Sequence, residues 1–392
     1  MDIGIITHYD VHNHGALLQL NALCKVLKKM GYEATALRFE KNYDFLGIEL
    51  KDKYNISLRS IPYYCTYLAQ KGLGRTWYNV QKKRILDKFK IQEGIVGEYY
   101  TQYKSMKAVI IGSDEIFALH TGPTPVFWGY ALPSDNVFAY AGCFGPTTIT
   151  DIQAKRCESF VRGGLENLTA LSVRDRNSHD IIEKLIGQDV EIVCDPVLLY
   201  GYKDELQTLP KVVQKPYLLV YAYDNNMNNI QEVQAIKKYA KARGLQIVSP
   251  GFYHDWCDKN INVDPVTLLS YFRDAQCVVT DTFHGSVMSI LVNAELAVIL
   301  RNNSNKLGYL LEEYTLSKRI ISEDRGLNEL FSEEIDWEKV NAHLLKKRES
   351  SMAYLIIAYL NEYSIERYFT SMHQLWGMCC CMSSKCDCNG SE

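Results

Sequence analysis

The chain contains 392 residues, enough for two domains that each have a hydrophobic core. Hydrophobic residues make up 47% of it and charged residues 23%, and the net charge of −3 excludes a strong positive field for nucleic acid. No basic segment leads into an apolar core at the N-terminus, and no apolar run reaches the roughly 18 residues of a membrane span. We therefore expect a cytoplasmic globular protein that does not bind nucleic acid.

The twelve cysteines fall into two groups. Seven are scattered, several of them inside apolar segments, as reduced and buried thiols are. The other five lie within residues 379–388, where a soft-metal site is one interpretation, although no Cys-x-x-Cys pair is present. We predict that residues 371–392 form a disordered, reduced tail and that the protein binds no metal.

Strands and helices alternate in the first half of the chain. Apolar runs predict the strands, and apolar residues at helical spacing predict the helices. The predicted strands are 3–7, 33–39, 107–112, 137–143, 170–173 and 190–194, and the predicted helices are 16–30, 150–164 and a segment after Asp175. Residues 41–105 are rich in Tyr and Lys and show no clear period, so only helices near the entrance to a cleft are expected there.

A second alternating unit begins after Pro216. The predicted strands are 217–222, 245–248, 277–280 and 297–300, and the predicted helices are 227–243, 264–274, 286–293, 337–347 and 351–369. Alternating strands and helices indicate parallel sheets. We therefore predict two Rossmann-like parallel-sheet domains, residues 1–205 and 206–370, that face a cleft.

The most informative segment, residues 280–289, reads Thr-Asp-Thr-Phe-His-Gly-Ser-Val-Met-Ser and lies between two apolar runs. This pattern predicts a buried strand, a turn, and a helix that begins near Ser286. Free N–H groups at a helix start favour anions, and open α/β sheets bind ligands at the carboxyl ends of their strands. His284 would therefore lie beside an anion site formed by the amides of Gly285 and Ser286.

Six motifs in a fixed order resemble those of the polysaccharide pyruvyl transferases. They are Asn-His-Gly-Ala-Leu-Leu-Gln at 13–19, Gly-Ser-Asp-Glu-Ile-Phe at 112–117, Tyr-Ala-Gly-Cys-Phe-Gly at 140–145, Ser-Val-Arg-Asp at 172–175, Cys-Asp-Pro-Val-Leu-Leu at 194–199 and Thr-Asp-Thr-Phe-His-Gly-Ser at 280–286. Cys143 stands where the family usually has serine. The resemblance covers residues 3 to about 300, without residues 41–105 and the Cys-rich tail.

The resemblance implies a glycosyltransferase-B-like fold and a pyruvyl transfer from phosphoenolpyruvate to a sugar. The product would be a cyclic pyruvate ketal on two hydroxyls, in the biosynthesis of a capsule or another surface polysaccharide. Phosphoenolpyruvate is then a co-substrate, and no other cofactor is expected. The acceptor sugar is left open: it is free, nucleotide-linked, polymeric, or lipid-linked at the inner face of the membrane, where residues 41–105 would supply the surface contact.

Phosphoenolpyruvate carries a carboxylate and a phosphate, which an arginine binds through paired hydrogen bonds. Arg174 is the predicted donor-binding residue, and a structural ion pair with Asp175 or Asp195 is the alternative. Arg301 and Lys306 are predicted to complete the anion site. His284 is predicted either to transfer protons or to donate a hydrogen bond to the phosphate.

The first strand-to-helix loop supplies the predicted acceptor contacts: Asn13, His14 and Gly15. Asn13 is equally compatible with a helix cap. Asp114 is predicted as the base for an acceptor hydroxyl, again with helix capping as the alternative. Asp281 is expected to orient the turn that carries His284, and the nearby histidines at 8, 12 and 14 are assigned no metal.

Two other functions remain open. A nucleotide-sugar-dependent glycosyltransferase of the same fold would need a nucleotide site, for which the sequence shows no clear acidic ribose-binding residue. A non-catalytic carbohydrate-binding or assembly subunit would not need both Arg174 and His284.

Overall fold

The computed structural model describes residues 2–41, 61–211, 215–301 and 304–360. The predictions for residues 42–60, for the end of the last helix and for the Cys-rich tail lie outside these ranges. Within them, no helix combines the length and the apolar character that crossing a membrane requires.

The first domain is built on a seven-stranded sheet in which every strand pair is parallel. The strands are β1 (Ile3–Ile6), β2 (Ala34–Arg38), β3 (Val96–Tyr99), β4 (Ala108–Asp114), β5 (Val137–Gly142), β6 (Ser172–Val173) and β7 (Glu191–Ile192). Their order is β3-β2-β1-β4-β5-β6-β7. The predicted βαβ beginning is confirmed.

The helices of this half begin with α1 (His14–Lys29), whose apolar residues pack in the largest hydrophobic core. The others are α2 (Ile61–Glu93), α3 (Ile149–Ala154), α4 (Glu158–Glu166), α5 (Arg176–Ile186), α6 (Pro196–Tyr200) and α7 (Lys203–Thr208), with short 3₁₀ turns at Tyr100–Gln102, Leu119–Thr121 and Pro125–Trp128. The single helix predicted at 150–164 is therefore two helices, α3 and α4.

The second domain has a five-stranded parallel sheet of order β10-β9-β8-β11-β12. Its strands are β8 (Tyr217–Tyr221), β9 (Gln246–Pro250), β10 (Lys259–Ile261), β11 (Cys277–Thr280) and β12 (Leu296–Val298). Its helices are α8 (Ile230–Ala242), α9 (Pro265–Asp274), α10 (Phe283–Val292), α11 (Ser304–Glu313), α12 (Leu327–Leu330) and α13 (Trp337–Leu360), with a 3₁₀ turn at Ser317–Arg319. The predicted fold class, two Rossmann-like parallel-sheet domains, is confirmed.

Helix α2 connects the two domains. It is kinked at Gly72, whose φ of 75° lies in the region that favours glycine. Beyond the kink, the Tyr78 hydroxyl donates to the Ile261 carbonyl at 2.9 Å, and the Asn262 amide donates to the Tyr78 carbonyl at 2.9 Å. Helices were expected within residues 41–105, but the bounds of this one were not predicted, because its contacts are made with a distant part of the chain.

Helix α13 returns from the second domain to the first. The Tyr354 hydroxyl donates to the Ala139 carbonyl of β5 at 2.9 Å, and Asn136 donates to the Ala358 and Tyr359 carbonyls at 3.3 and 3.0 Å. The two helices predicted at 337–347 and 351–369 are one helix over the described residues. It packs on the first sheet, although it follows the second sheet in sequence.

In each sheet, the order in which successive strands are added reverses at one internal strand pair: β1/β4 in the first domain and β8/β11 in the second. At such a switch point the following loops diverge to opposite faces and leave a crevice at the carboxyl ends of the strands. The segments after β1, β4, β6, β8 and β11 therefore line the candidate site.

Candidate active site in the interdomain cleft

Arg174 follows β6 and is the centre of a buried hydrogen-bond network. It is only 3% exposed and donates to Asp114 at 2.9 Å, to Asp195 at 3.2 Å and to Gln19 at 3.3 Å. The ion pair with Asp195 that the sequence suggested is present. Asp175 instead caps α5 by accepting a hydrogen bond from the Ser178 amide. Arg174 is thus held by groups from three separate segments of the first domain.

Asp114 is the last residue of β4, and no helix begins at it. The helix-cap alternative is therefore wrong. Burial raises the pKa of its carboxyl, but the charge of Arg174, together with His284, His8 and Lys306, outweighs burial and holds that pKa well below its usual range. The role of Asp114 as a base stays a prediction, and it requires a ligand that weakens the ion pair with Arg174.

His284 lies in the first turn of α10 and reaches the same network. Its Nε2 is 3.9 Å from the Asp195 carboxylate and has no hydrogen-bond partner among the described residues. Burial lowers the pKa of His284, and the nearby Arg174 and Lys306 charges act in the same direction. Asp195 and Asp114 act in the opposite direction but do not overcome burial, so the neutral imidazole is favoured in the free protein.

Gly15 explains how His284 fits between the domains. A Cβ on Gly15 would lie 2.3 Å from the Cγ atom of His284, closer than any unstrained contact between carbon atoms. The first turn of α1 therefore packs directly on the imidazole ring. The predicted close approach to the backbone at Gly15 is confirmed, and the group that lies there is the His284 ring. A contact between Gly15 and an acceptor sugar stays a prediction.

The start of α10 differs from the prediction. The helix begins at Phe283 with Thr282 as its cap, three residues before Ser286. The Gly285 amide donates to the Thr282 hydroxyl at 2.9 Å, and the Ser286 amide donates to the Thr282 carbonyl at 3.2 Å. The predicted anion cradle of Gly285 and Ser286 is therefore wrong, since both amides serve the helix itself. The amides of Phe283 and His284 have no acceptor among the described residues.

Lys306, on α11, forms an ion pair with Glu115, which also contacts His120 at 3.1 Å. Burial lowers the pKa of Lys306, but the acidic groups around it, of which Glu115 has the largest effect, together outweigh burial and raise that pKa above its usual range. The ammonium lies 5.5 Å from the centre of the Phe283 ring, on which the Arg174 guanidinium stacks at 4.4 Å. The structure therefore brings Lys306 and Arg174 to the same aromatic side chain.

Arg301 lies in a different network. It donates to both carboxylate oxygens of Glu232 at 2.7 and 2.8 Å, and to Asp281 at 3.1 Å. These three bonds use all of its nitrogen atoms. Its predicted part in the anion site is therefore not supported by this conformation, in which Arg301 joins α8 to the segment after β11. Asp281 holds Arg301, and its expected role in orienting the His284 turn stays a prediction.

Asn13 and His14 both have structural partners. The Asn13 side chain accepts from the Gly15 and Ala16 amides at 2.8 and 3.3 Å, so the helix-cap interpretation is confirmed. His14 is fully buried, and its Nε2 donates to the Val263 carbonyl at 2.8 Å. Burial lowers the pKa of His14 to about 3. His14 offers no surface to a sugar here and instead joins α1 to the second domain.

The three histidines near the first loop do not converge. His8 lies against the Glu115 carbonyl at 3.4 Å, and His12 contacts Asp87 at 3.2 Å, away from His14. Among the described residues, a metal-like cluster occurs only at His179, Asp180 and Glu183 on α5, where the two acidic groups are exposed. It has no connection to the cleft site.

The charges of the site nearly balance. Two cations, Arg174 and Lys306, face three carboxylates, Asp114, Glu115 and Asp195. An anionic ligand must therefore displace internal carboxylates before it can reach the cations. Glu115 is suited to such displacement because His120 already provides it with a second partner.

Three buried polar atoms around Arg174 lack hydrogen-bond partners among the described residues: Arg174 Nε, Gln19 Nε2 and His284 Nε2. Buried polar atoms are nearly always paired, and an exception indicates a catalytic role or a bound water, ion or ligand. Gln19 was not predicted as a site residue, although it closes the motif at 13–19. Its carbonyl oxygen accepts from Ser113 at 2.6 Å and from Arg174.

The fold and the site together define a two-domain α/β protein with a buried charged centre at the carboxyl ends of its parallel strands. The chain belongs to the polysaccharide pyruvyl transferase family, whose sequence profile matches residues 13–303. No curated protein matches the chain.

Similar solved structures include MnaA of S. aureus with UDP (12% identity, 92% of this chain and 97% of that one, TM-score 0.46) and the UDP-GlcNAc 2-epimerase of Neisseria meningitidis bound to UDP-GlcNAc (10%, 90% and 94%, 0.43). The glycosyltransferase SnogD of Streptomyces nogalater is similar at 11% identity, over 91% of this chain and 99% of that one, with a TM-score of 0.43. Likeness at this level carries no argument about chemistry.

Proposed function

We propose that the protein transfers the pyruvyl group of phosphoenolpyruvate to two hydroxyls of a sugar and so forms a cyclic ketal. Membership of the polysaccharide pyruvyl transferase family supports a transferase. The observation that supports this donor is the group of unpartnered atoms, Arg174 Nε, Gln19 Nε2 and His284 Nε2, in a centre that also contains Lys306. A small ligand with two anionic groups would satisfy this centre.

Donor binding would rearrange the ion pairs. The phosphate would replace Glu115 on Lys306, and Glu115 would remain with His120. The carboxylate would accept from Arg174, whose planar guanidinium can bind it through two hydrogen bonds. This exchange would loosen the pair between Arg174 and Asp114, so the pKa of Asp114 would rise toward the range in which it can accept a proton.

His284 would change its protonation state with the donor. In the free protein, burial holds the pKa of His284 low. The negative charge of bound phosphoenolpyruvate would stabilise the imidazolium and so raise this pKa. His284 would then protonate the methylene carbon of phosphoenolpyruvate. The first sugar hydroxyl would add to the neighbouring carbon and lose its proton to Asp114. The second hydroxyl would then attack the same carbon. The bond between this carbon and the phosphate oxygen would break, and phosphate would leave with the proton of the second hydroxyl.

The sugar would approach from the side of Asn13. Asn13 caps α1, but its side chain stays partly exposed. It also makes a polar contact with the hydroxyl of Tyr223. Asn13 and Gly15 therefore stay the proposed acceptor contacts. His14 would act only indirectly, by fixing α1 to the second domain.

We also propose that α2 contacts the membrane surface when the acceptor is lipid-linked. Leu73, Trp77 and Val80 are exposed and lie one turn apart on one face, with Lys83 and Arg84 exposed next to them. Trp77→Ser should weaken association with vesicles that contain anionic lipids, measured by co-sedimentation. Equal association of both proteins would contradict this contact.

The test of the proposed function is calorimetric titration with phosphoenolpyruvate, combined with detection of phosphate release in the presence of sugar acceptors. The wild type should bind the donor, His284→Asn and Arg174→Lys should weaken binding or abolish turnover, and Gly308→Ala, on an open face of α11, should change neither. No binding of phosphoenolpyruvate with or without acceptor would overturn the proposal. Hydrolysis or transfer of a labelled nucleotide sugar would then indicate a glycosyltransferase.

A further inference from the structure

Lys82 is a second buried cation in the interdomain cleft, and it lacks the pairing seen at Arg174 and Lys306. It lies on α2, is 8% exposed, and its ammonium is 4.3 Å from the centre of the Phe252 ring. Among the described residues, no carboxylate forms an ion pair with this ammonium and no acceptor receives a hydrogen bond from it. A buried charge without a partner is costly, so a ligand that supplies the negative charge would stabilise this arrangement.

The surroundings of Lys82 are aromatic. Phe252 follows β9, and its ring contacts Tyr221 at 4.8 Å and Tyr223 at 5.4 Å between ring centres. Tyr223 follows β8 and is 40% exposed. This position, at the carboxyl ends of strands beside the switch point of the second sheet, is where α/β proteins place ligands. Phe252 and Tyr221 are buried, and the exposed side chain of Tyr223, supported by Phe252, offers a surface for a ring-shaped ligand.

The charged groups near Lys82 leave its ammonium available. Asp224, after β8, is the carboxylate whose charge acts on it, but the oxygens of Asp224 accept from the Tyr253 amide at 3.0 Å and from Asn79 at 3.4 Å. His14, from α1, is neutral because burial lowers its pKa to about 3. Burial also lowers the pKa of Lys82, to about 8, so that the group is mostly cationic at pH 7.

Tyr223 connects this region to the centre around Arg174. The charges of Lys306, Glu115 and Asp114 all act on its hydroxyl, and Asn13 makes a polar contact with it. A ligand in contact with Lys82 and Tyr223 would therefore extend toward the residues that carry the proposed chemistry.

We propose that Lys82, Phe252 and Tyr223 form an acceptor subsite for a phosphorylated sugar. The phosphoryl group would bind the Lys82 ammonium, and the sugar ring would lie against Tyr223, whose ring is supported by Phe252. This inference rests on the proposed function, because it identifies the acceptor as a sugar that carries phosphate. Such a group occurs in a free sugar phosphate, in a nucleotide-linked sugar and in a lipid-linked sugar.

Calorimetric titration of the full chain with glucose 1-phosphate, with glucose as the uncharged counterpart, tests the subsite. The wild type should bind glucose 1-phosphate at least about tenfold more tightly than Lys82→Met does, since one charge-assisted contact is lost. Lys88→Met, which removes an exposed lysine of the same helix, should bind like the wild type. UDP-glucose and glucose linked to farnesyl diphosphate then distinguish a nucleotide-linked from a lipid-linked source by their relative affinity.

The pH dependence separates binding from a structural effect. Affinity of the wild type should fall as the pH rises above 8, because the ammonium loses its proton, whereas Lys82→Arg should bind without this decline. Equal affinity of Lys82→Met and wild type, or no binding of any phosphorylated probe, would overturn the subsite.

Titration with phosphoenolpyruvate, which Lys82→Met should leave unchanged, distinguishes the two proposals. Binding of the donor without binding of sugar phosphates refutes the subsite alone. The opposite result refutes the proposed donor and supports the subsite.

Discussion

Lys306 and Lys82 are both buried lysines of one cleft, and their pKa values shift in opposite directions. Burial acts in the same sense on both, because it disfavours a charged ammonium. At Lys306, Glu115 and the other acidic groups together outweigh burial and raise the pKa, whereas at Lys82 Asp224 only reduces the effect of burial and the pKa falls to about 8. Lys306 is neutralised by its ion pair with Glu115, whereas the ammonium of Lys82 is available to bind an anionic ligand.

The largest effect is expected where the pairing is densest. Arg174→Met would leave Asp114 and Asp195 buried without their cation, so we expect a loss of about 3–5 kcal/mol in the free energy of unfolding. Urea denaturation at pH 7 measures it. Asp195→Asn in the same chain should restore part of the loss, and a loss below about 1 kcal/mol for Arg174→Met would contradict the network.

Substituting the two lysines tests the comparison directly. Lys306→Met removes the partner of Glu115 and should destabilise the protein by about 1–3 kcal/mol. Lys82→Met should instead stabilise it by about 1–3 kcal/mol at pH 7, because a pKa lowered by about 2.5 units costs about 3 kcal/mol and the lost contact with Phe252 offsets part of the gain.

The sign of the pH effect follows from linkage. The folded-state pKa of Lys82 lies below the unfolded value, so its cost is fully present below pH 8 and disappears as the pH rises toward 10.5. The advantage of Lys82→Met should shrink over the same interval in urea denaturation. If Lys306→Met and Lys82→Met both lowered the free energy of unfolding by the same amount, the presence of an ion pair would not distinguish the two lysines.

His14 extends the comparison to a neutral group. Its pKa of about 3 in the folded state lies below the unfolded value of 6.5, so the unfolded chain binds the extra proton between these values. Stability from His14 is present above pH 6.5 and falls by about 1.4 kcal/mol per pH unit on acidification. His14→Gln keeps a donor for the Val263 carbonyl and should remove this slope. Equal slopes for both proteins would contradict the assignment.

The smallest change in stability is expected for two glycines in helices. Gly308→Ala has open space around its new methyl group and should stabilise the protein by about 0.5–1 kcal/mol. Gly15→Ala should not stabilise the protein, because its methyl group would displace the His284 ring. We expect Gly15→Ala to reduce donor binding in calorimetry while Gly308→Ala leaves it unchanged. Unchanged binding by Gly15→Ala would contradict the packing of α1 on His284.

The central strands and α1 were predictable because their apolar periodicity reflects local geometry. The short strands β3 and β10 were missed, since both lie at sheet edges and their pairing depends on neighbours distant in sequence. The start of α10 was placed too late because the Gly285 turn was read as the boundary. Thr282, a good capping residue before Phe283, was the signal that marks the true start.

In the candidate site, the sequence predicted the residue types better than their partners. Arg174, Asp114 and His284, which lie in three of the motifs, do converge in the cleft, together with Lys306, which was predicted from its position after a strand. The pairing of Arg301 with Glu232 was not predictable, because it joins segments that are 69 residues apart. Lys82 carried no motif, and only its burial against Phe252 distinguishes it from the exposed lysines of α2.

The path of α2 and α13 has a consequence for how the molecule unfolds. Both helices cross between the sheets, through the hydrogen bonds of Tyr78 at one crossing and of Tyr354 at the other. Neither sheet can lose its structure without releasing a helix that also supports the other. Although each half has the topology of an independent domain, we therefore expect the two halves to unfold together as one cooperative unit.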